Sequence, residues 1–139
     1  MAKWIPAEKM TEKEVFALTL KAWAQKQNLS LQPEFNFVPG RQFSADWAIK
    51  ELKILIEYEG GMFGKKGAKR CKFCGELPKG AHFMIQRINN DAEKYNLAAI
   101  LGFRVIRILP KMVKAKTGDA EKALEYIRKA VEAARKEIR

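Results

Sequence analysis

Cysteine and histidine are scarce in this chain of 139 residues: there are two cysteines, Cys71 and Cys74, and one histidine, His82. So thin a supply excludes a disulfide-stapled scaffold. It also leaves the spacing of "CKFCGELPKGAH" one ligand short of a closed zinc site, because no third cysteine or second histidine exists. A carboxylate, a water or a second subunit would have to complete Zn²⁺ coordination by Cys71, Cys74 and His82, and reduced thiols are the simpler reading. Long apolar runs are missing too. None approaches about 18 residues, which excludes an ordinary membrane-spanning helix. The opening "MAKWIPAEKM" lacks the apolar stretch of a secretory signal, so a cytoplasmic protein is expected. Acids are in deficit: 16 Asp and Glu stand against 27 Lys and Arg, a net charge of +11. That balance suits a polyanion, because each phosphate neutralised releases counterions, and the partner expected is nucleic acid.

What is present reads as one domain over residues 1–139 of class α/β, with a core over about 11–110 and a C-terminal helix over about 119–138. "TEKE" opens a helix, with Thr11 as cap and Glu14 as its capping-box partner. Val15, Leu18, Ala22 and Trp23 form its expected apolar stripe, and the end falls near Gln27–Asn28. "EFNFV", "RQFSADWAIK" and "ELKILIEYEG" alternate as strands, the last two forming a hairpin that turns at Lys50–Glu51. Residues 60–87 hold six of the nine glycines and read as a long irregular segment. "INNDAEKYNLAAILG" is a helix capped at Asn89 or Asn90 and stopped at Gly102. "FRVIRIL" is a strand ended by Pro110. Leu124, Ile127, Val131, Ala134 and Ile138 then line one face of a last helix. The order is α-β-β-β-α-β-α, which predicts a mixed sheet.

A turn at Lys50–Glu51 sets Asp46 opposite Leu55. Leu55, Glu57 and Glu59 then share the face to which Asp46 points, with Glu57 diagonal to Asp46 at about 7–8 Å. Like charges so close destabilise one another. A hard divalent cation, Mg²⁺ or Mn²⁺, resolves the conflict and can activate a water against a phosphate ester. The plainer alternative is that Lys53 and arginines pair these acids. Lys94 shares a helix face with Asp91, and its amine could orient the attacking water or stabilise developing charge; as a bland alternative it is simply Asp91's partner at the surface. Lys65, Lys66, Lys69 and Arg70 read as phosphate contacts, or as a solvated loop.

"RQFSADWAIKELKILIEYEGG" followed by "GAHFMIQRINNDAEKYNLAAILGFRVIRI" resembles the PD-(D/E)XK nuclease superfamily, in particular small bacterial and phage members. The shared pieces are R-x-F-x-x-D, E-x-E-G-G, G-x-H, D-x-x-K-x-N and G-[WF]-x-V-x-R, in that order. The resemblance implies a metal-dependent phosphodiesterase on an αβββαβ restriction-endonuclease-like core. In it Asp46 and Glu57 hold the metal, Glu59 assists them from the position of a motif lysine, and Lys94 replaces that lysine from the following helix. It further implies an additional acid at Glu14 and a phosphate- or water-holding His82. Archaeal-type Holliday junction resolvases are similar in core, size, charge and helix-one glutamate. By that likeness the chain is expected to cut branched DNA as a homodimer, in the host-cell cytoplasm if it is phage-encoded. A restriction- or mismatch-type nicking enzyme and a non-catalytic DNA-binding module stay open as rivals.

Overall fold

The computed structural model describes residues 10–59, 79–113 and 120–138. Thr11 opens α1 (Glu12–Lys26) with reciprocal bonds: the Glu14 amide donates to Thr11 Oγ1 at 3.1 Å, and the Thr11 amide donates to Glu14 Oε1 at 3.4 Å. The buried face of α1 is Phe16, Leu20 and Ala24, with Ala17 and Trp23 packed beside it. The expected stripe through Val15, Leu18 and Ala22 is therefore displaced by one to two residues, and Leu18 is 55% exposed. The run "VFALTLKAWA" is apolar on nearly every side, so spacing does not choose a face. Bulk does: Phe16 buries far more surface than Val15 could.

Four strands follow among the described residues: β1 (Gln32–Asn36), β2 (Ser44–Ile49), β3 (Ile54–Tyr58) and β4 (Arg104–Ile108). They form one sheet in the order β1-β2-β3-β4, antiparallel except for the parallel pair β3–β4. β1 begins two residues before the expected "EFNFV". Pro33 is tolerated there because β1 is an edge strand. Between β2 and β3 the chain makes a 3₁₀ turn (Lys50–Leu52) and a left-handed residue, Lys53 (φ 54°). This connection is two residues longer than the tight turn expected, and it moves the register by two. Trp47 faces Ile56, Ala48 faces Leu55 and Ile49 faces Ile54. An even slip leaves every side chain on its predicted face.

Trp47, Ile49, Ile54, Ile56 and Ile108 project from one face of the sheet into the core. Phe16 and Leu20 of α1 meet them, as do Ala123, Ile127, Ala130, Val131 and Ala134 of the C-terminal helix, α3 (Glu121–Ile138). Phe16 packs edge-on against Trp47 at 5.5 Å between ring centroids. Burying each large side chain contributes about 1.5–3 kcal/mol. The alanines of α3 allow its close approach to the sheet. Ile138, expected on this face, is 69% exposed. It lies in the last turn, where Glu137 pairs with Arg104 of β4.

These elements belong to a unit made of Met1–Gly60 and Phe103–Arg139; Gly61–Gly102 makes a second unit. The second unit contains α2 (Lys79–Ile100), a helix of 22 residues. It starts well before the expected Asn89 or Asn90, which lie in its interior. "AHFMIQR" offers good helix formers with no breaker after Gly80, so propensity carries the helix back to Lys79. The expected irregular segment is shortened accordingly, and His82 lies on helical backbone rather than in a turn. The predicted stop holds: Gly102 is left-handed (φ 84°), and its amide donates to the Ala99 carbonyl at 3.1 Å. The observed class is α/β with a mixed sheet, and no described helix is long and apolar enough to cross a membrane.

Candidate active site

Asp46 sits one residue beyond the last paired position of the β2–β3 ladder, Trp47 with Ile56. Continued by one step, that register places Asp46 directly across from Glu57. Facing residues of an antiparallel pair share a face, about 4.5–5.5 Å apart at Cβ. The register thus sets these two acids on one face at facing rather than diagonal positions, one step past the last paired residues. Asp46 also replaces part of the ladder. Its Oδ2 accepts the Tyr58 amide at 2.8 Å, and its Oδ1 accepts the ammonium of Lys13, on the first turn of α1, at 2.8 Å. Both carboxylate oxygens are therefore held in place, while the side chain stays 24% exposed.

Glu57 is 8% exposed and Glu59 is 5% exposed. Glu57 also faces Arg107 across the parallel β3–β4 pair. Arg107 turns its guanidinium to the next acid along: its Nε donates to Glu59 Oε1 at 2.8 Å. The Glu59 amide donates to the Ile108 carbonyl at 2.8 Å, which carries the β3–β4 pairing past Tyr58. A buried carboxylate requires such compensation, since an ionised group removed from water is otherwise costly. Tyr58, between the two acids in sequence, points into the core side and donates its phenol to Glu12 Oε2 at 3.3 Å. Burial raises the Tyr58 phenol above its ordinary range, and the charge and hydrogen bond of Glu12 push in the same direction.

Of the cations on these acids, Arg107 on Glu59 matches the plainer alternative in which arginines pair them, whereas Lys13 on Asp46 is not among those the sequence suggests. Lys53, the expected partner, lies over the Phe103 ring at 5.3 Å from its centroid. Lys13 reads in the sequence as an ordinary solvated lysine, and only the docking of α1 brings it to Asp46. Arg107 is one of the arginines the sequence offers for these acids, and it reaches Glu59 from the parallel neighbour of β3. Glu14 is occupied by the capping box and lies beside Thr11, with Thr11 Oγ1 also donating to its Oε1 at 3.0 Å. Lys94 is on α2 in the second unit, half-buried, with its ammonium 6.0 Å from the Tyr95 ring centroid. Lys65, Lys66, Lys69, Arg70, Cys71 and Cys74 lie outside the described residues, as does the side chain of His82.

The donor chemistry at Asp46 and Glu57 can be tested against a divalent ion. Among the described residues no three or more of His, Cys, Asp and Glu are grouped to cage a metal. Mg²⁺ does not require a cage. It is usually held by one or two carboxylates and completed by water and substrate phosphate. Two carboxylates on one face at the end of the β2–β3 register, one of them already drawing an ammonium to 2.8 Å, fit that demand. No protein-family model, curated protein or solved structure matches the chain.

Proposed function

We propose that the chain is a Mg²⁺- or Mn²⁺-dependent DNA endonuclease with a PD-(D/E)XK-type, restriction-endonuclease-like core. We further propose that it acts as a homodimer on branched DNA, like a Holliday junction resolvase. The observation that carries this reading is the placement of Asp46 on the face of Glu57, one step past the last β2–β3 pair and near the carboxyl end of β3. The α-β-β-β-α-β-α order and the mixed sheet agree with it, and so does the charge of +11, which favours a phosphate backbone as partner.

In this reading Asp46 and Glu57 hold the ion. When bound, the ion supplies Lewis-acid charge and lowers the pKa of water. The Tyr58 amide orients Asp46. Glu59, tied to Arg107, holds the end of β3 against β4. The resemblance nominates Lys94 as the ammonium for the charge developing on the phosphate. Among the described residues no helix-turn-helix is formed, and in this reading selectivity rests on backbone contacts and DNA shape.

One observation favours a second reading, a DNA-binding module without catalysis: Asp46 and Glu59 each already hold a cation of the chain itself. Incubation with supercoiled plasmid and with a synthetic four-way junction, with and without Mg²⁺ or Mn²⁺, separates the two. Metal-dependent products that disappear in Asp46→Asn and Glu57→Gln, while binding persists, are the expected result. Salt-sensitive gel shifts without products would select the binding module. Undiminished cleavage by both variants would remove these residues from the site.

A further inference from the structure

The Lys13 ammonium sits 2.8 Å from Asp46 Oδ1, the distance of a full charge-assisted hydrogen bond. It comes from the first turn of α1, which the capping box and the burial of Phe16 hold against the sheet. The Oδ2 atom is engaged by a backbone amide that cannot leave without opening the end of the ladder. Oδ1 is therefore the oxygen that Asp46 can offer to a second cation, and Lys13 stands on it. The lysine is itself 49% exposed, so its ammonium can swing into water at small cost.

We infer that Lys13 is an internal competitor for the divalent ion at Asp46, a resident counter-charge that must leave before the ion binds. The inference rests on the reading of Asp46 as a metal ligand, but it concerns affinity rather than chemistry. With no ion present, Lys13 neutralises Asp46 and relieves its repulsion from Glu57. An arriving divalent cation must break the pair and then lie near a displaced positive charge. The resident lysine thus weakens the site, and its removal strengthens it. An ordinary supporting residue behaves in the opposite way, because its loss loosens the ligand and weakens binding. A partly exposed ion pair of this kind together with the residual repulsion corresponds to roughly a three- to tenfold change in affinity.

The test is Mn²⁺ binding to chelator-treated protein, followed by the loss of the free-ion electron paramagnetic resonance signal. Wild type is compared with Lys13→Met, Lys13→Arg and Lys21→Met. Lys21 is exposed on the same helix, and its replacement makes the same change in net charge. Lys13→Met is expected to bind Mn²⁺ roughly three- to tenfold more tightly than wild type. Lys13→Arg and Lys21→Met are expected to stay within about twofold of it, and adding Asp46→Asn to Lys13→Met should abolish the gain. Equal or weaker binding by Lys13→Met, absence of binding in every variant, or a gain that survives Asp46→Asn would each overturn the inference. Plasmid cleavage measured on the same samples keeps the two ideas apart. A tighter Mn²⁺ site without cleavage sinks the endonuclease and leaves Lys13 as competitor. Cleavage with unchanged affinity does the reverse.

Discussion

Replacing Arg107 with methionine removes the guanidinium from Glu59 while keeping an unbranched apolar stem in β4. The cost can be bracketed. Breaking a fully buried pair costs about 3–5 kcal/mol, because a charge is left in low dielectric. A fully exposed pair contributes about 0–1 kcal/mol. This pair is asymmetric: the Glu59 side chain is 4% exposed and that of Arg107 45%. The desolvated partner sets the penalty and the solvated one moderates the attraction, so about 2 kcal/mol is expected. With an unfolding entropy of about 2.1 cal/mol/K per residue, a chain of 139 residues has roughly 0.3 kcal/mol/K, and Tm should fall by about 7 °C. The assay is urea denaturation followed by tryptophan fluorescence, since Trp47 is in the core that β3 lines. A carboxylate deprived of its guanidinium can escape by protonation, so the deficit should be largest at neutral pH and shrink in acid. Adding Glu59→Gln should recover half or more of the loss. A deficit below about 0.5 kcal/mol, or a double variant no better than the single one, would refute the claim that burial makes Glu59 depend on Arg107.

The face of α1 can be read from a pair of leucines: Leu20→Ala should cost about 2–4 kcal/mol and Leu18→Ala under about 1 kcal/mol in the same denaturation assay, and comparable losses would contradict the observed packing. Tyr58 should ionise above the ordinary value near 10 when absorbance at 295 nm is followed against a Tyr58→Phe blank, and Glu12→Gln should lower its midpoint without restoring it fully, because burial is the larger cause. The sign for stability follows: the folded state keeps its phenolic proton longer than the unfolded chain, so the contribution is intact below pH 10 and is lost as pH rises through the folded midpoint.

Legibility in this chain follows the range of the interactions. Thr11-x-x-Glu14, Gly102 and Pro110 act within a turn of themselves, and the boundaries they mark stand where their chemistry places them. The register of β2 on β3 was misjudged because it depends on Lys53, a residue with no special licence for a left-handed backbone, adopting φ 54° to extend the turn. The acids kept their common face only because the slip was even; a slip of one would have sent Asp46 and Glu57 to opposite sides. The counter-charges were the least readable part. Lys13 meets Asp46 across 33 positions and Arg107 meets Glu59 across 48, so neither pairing leaves a local pattern. This has a consequence for the chemistry. A sequence can nominate carboxylates, since alternation and register bring them together, but the cation each one meets is chosen by how helices and strands dock. The amine that the docking delivers to Asp46 is that of Lys13 on α1, so substitution of Lys13 probes the electrostatics of these acids directly.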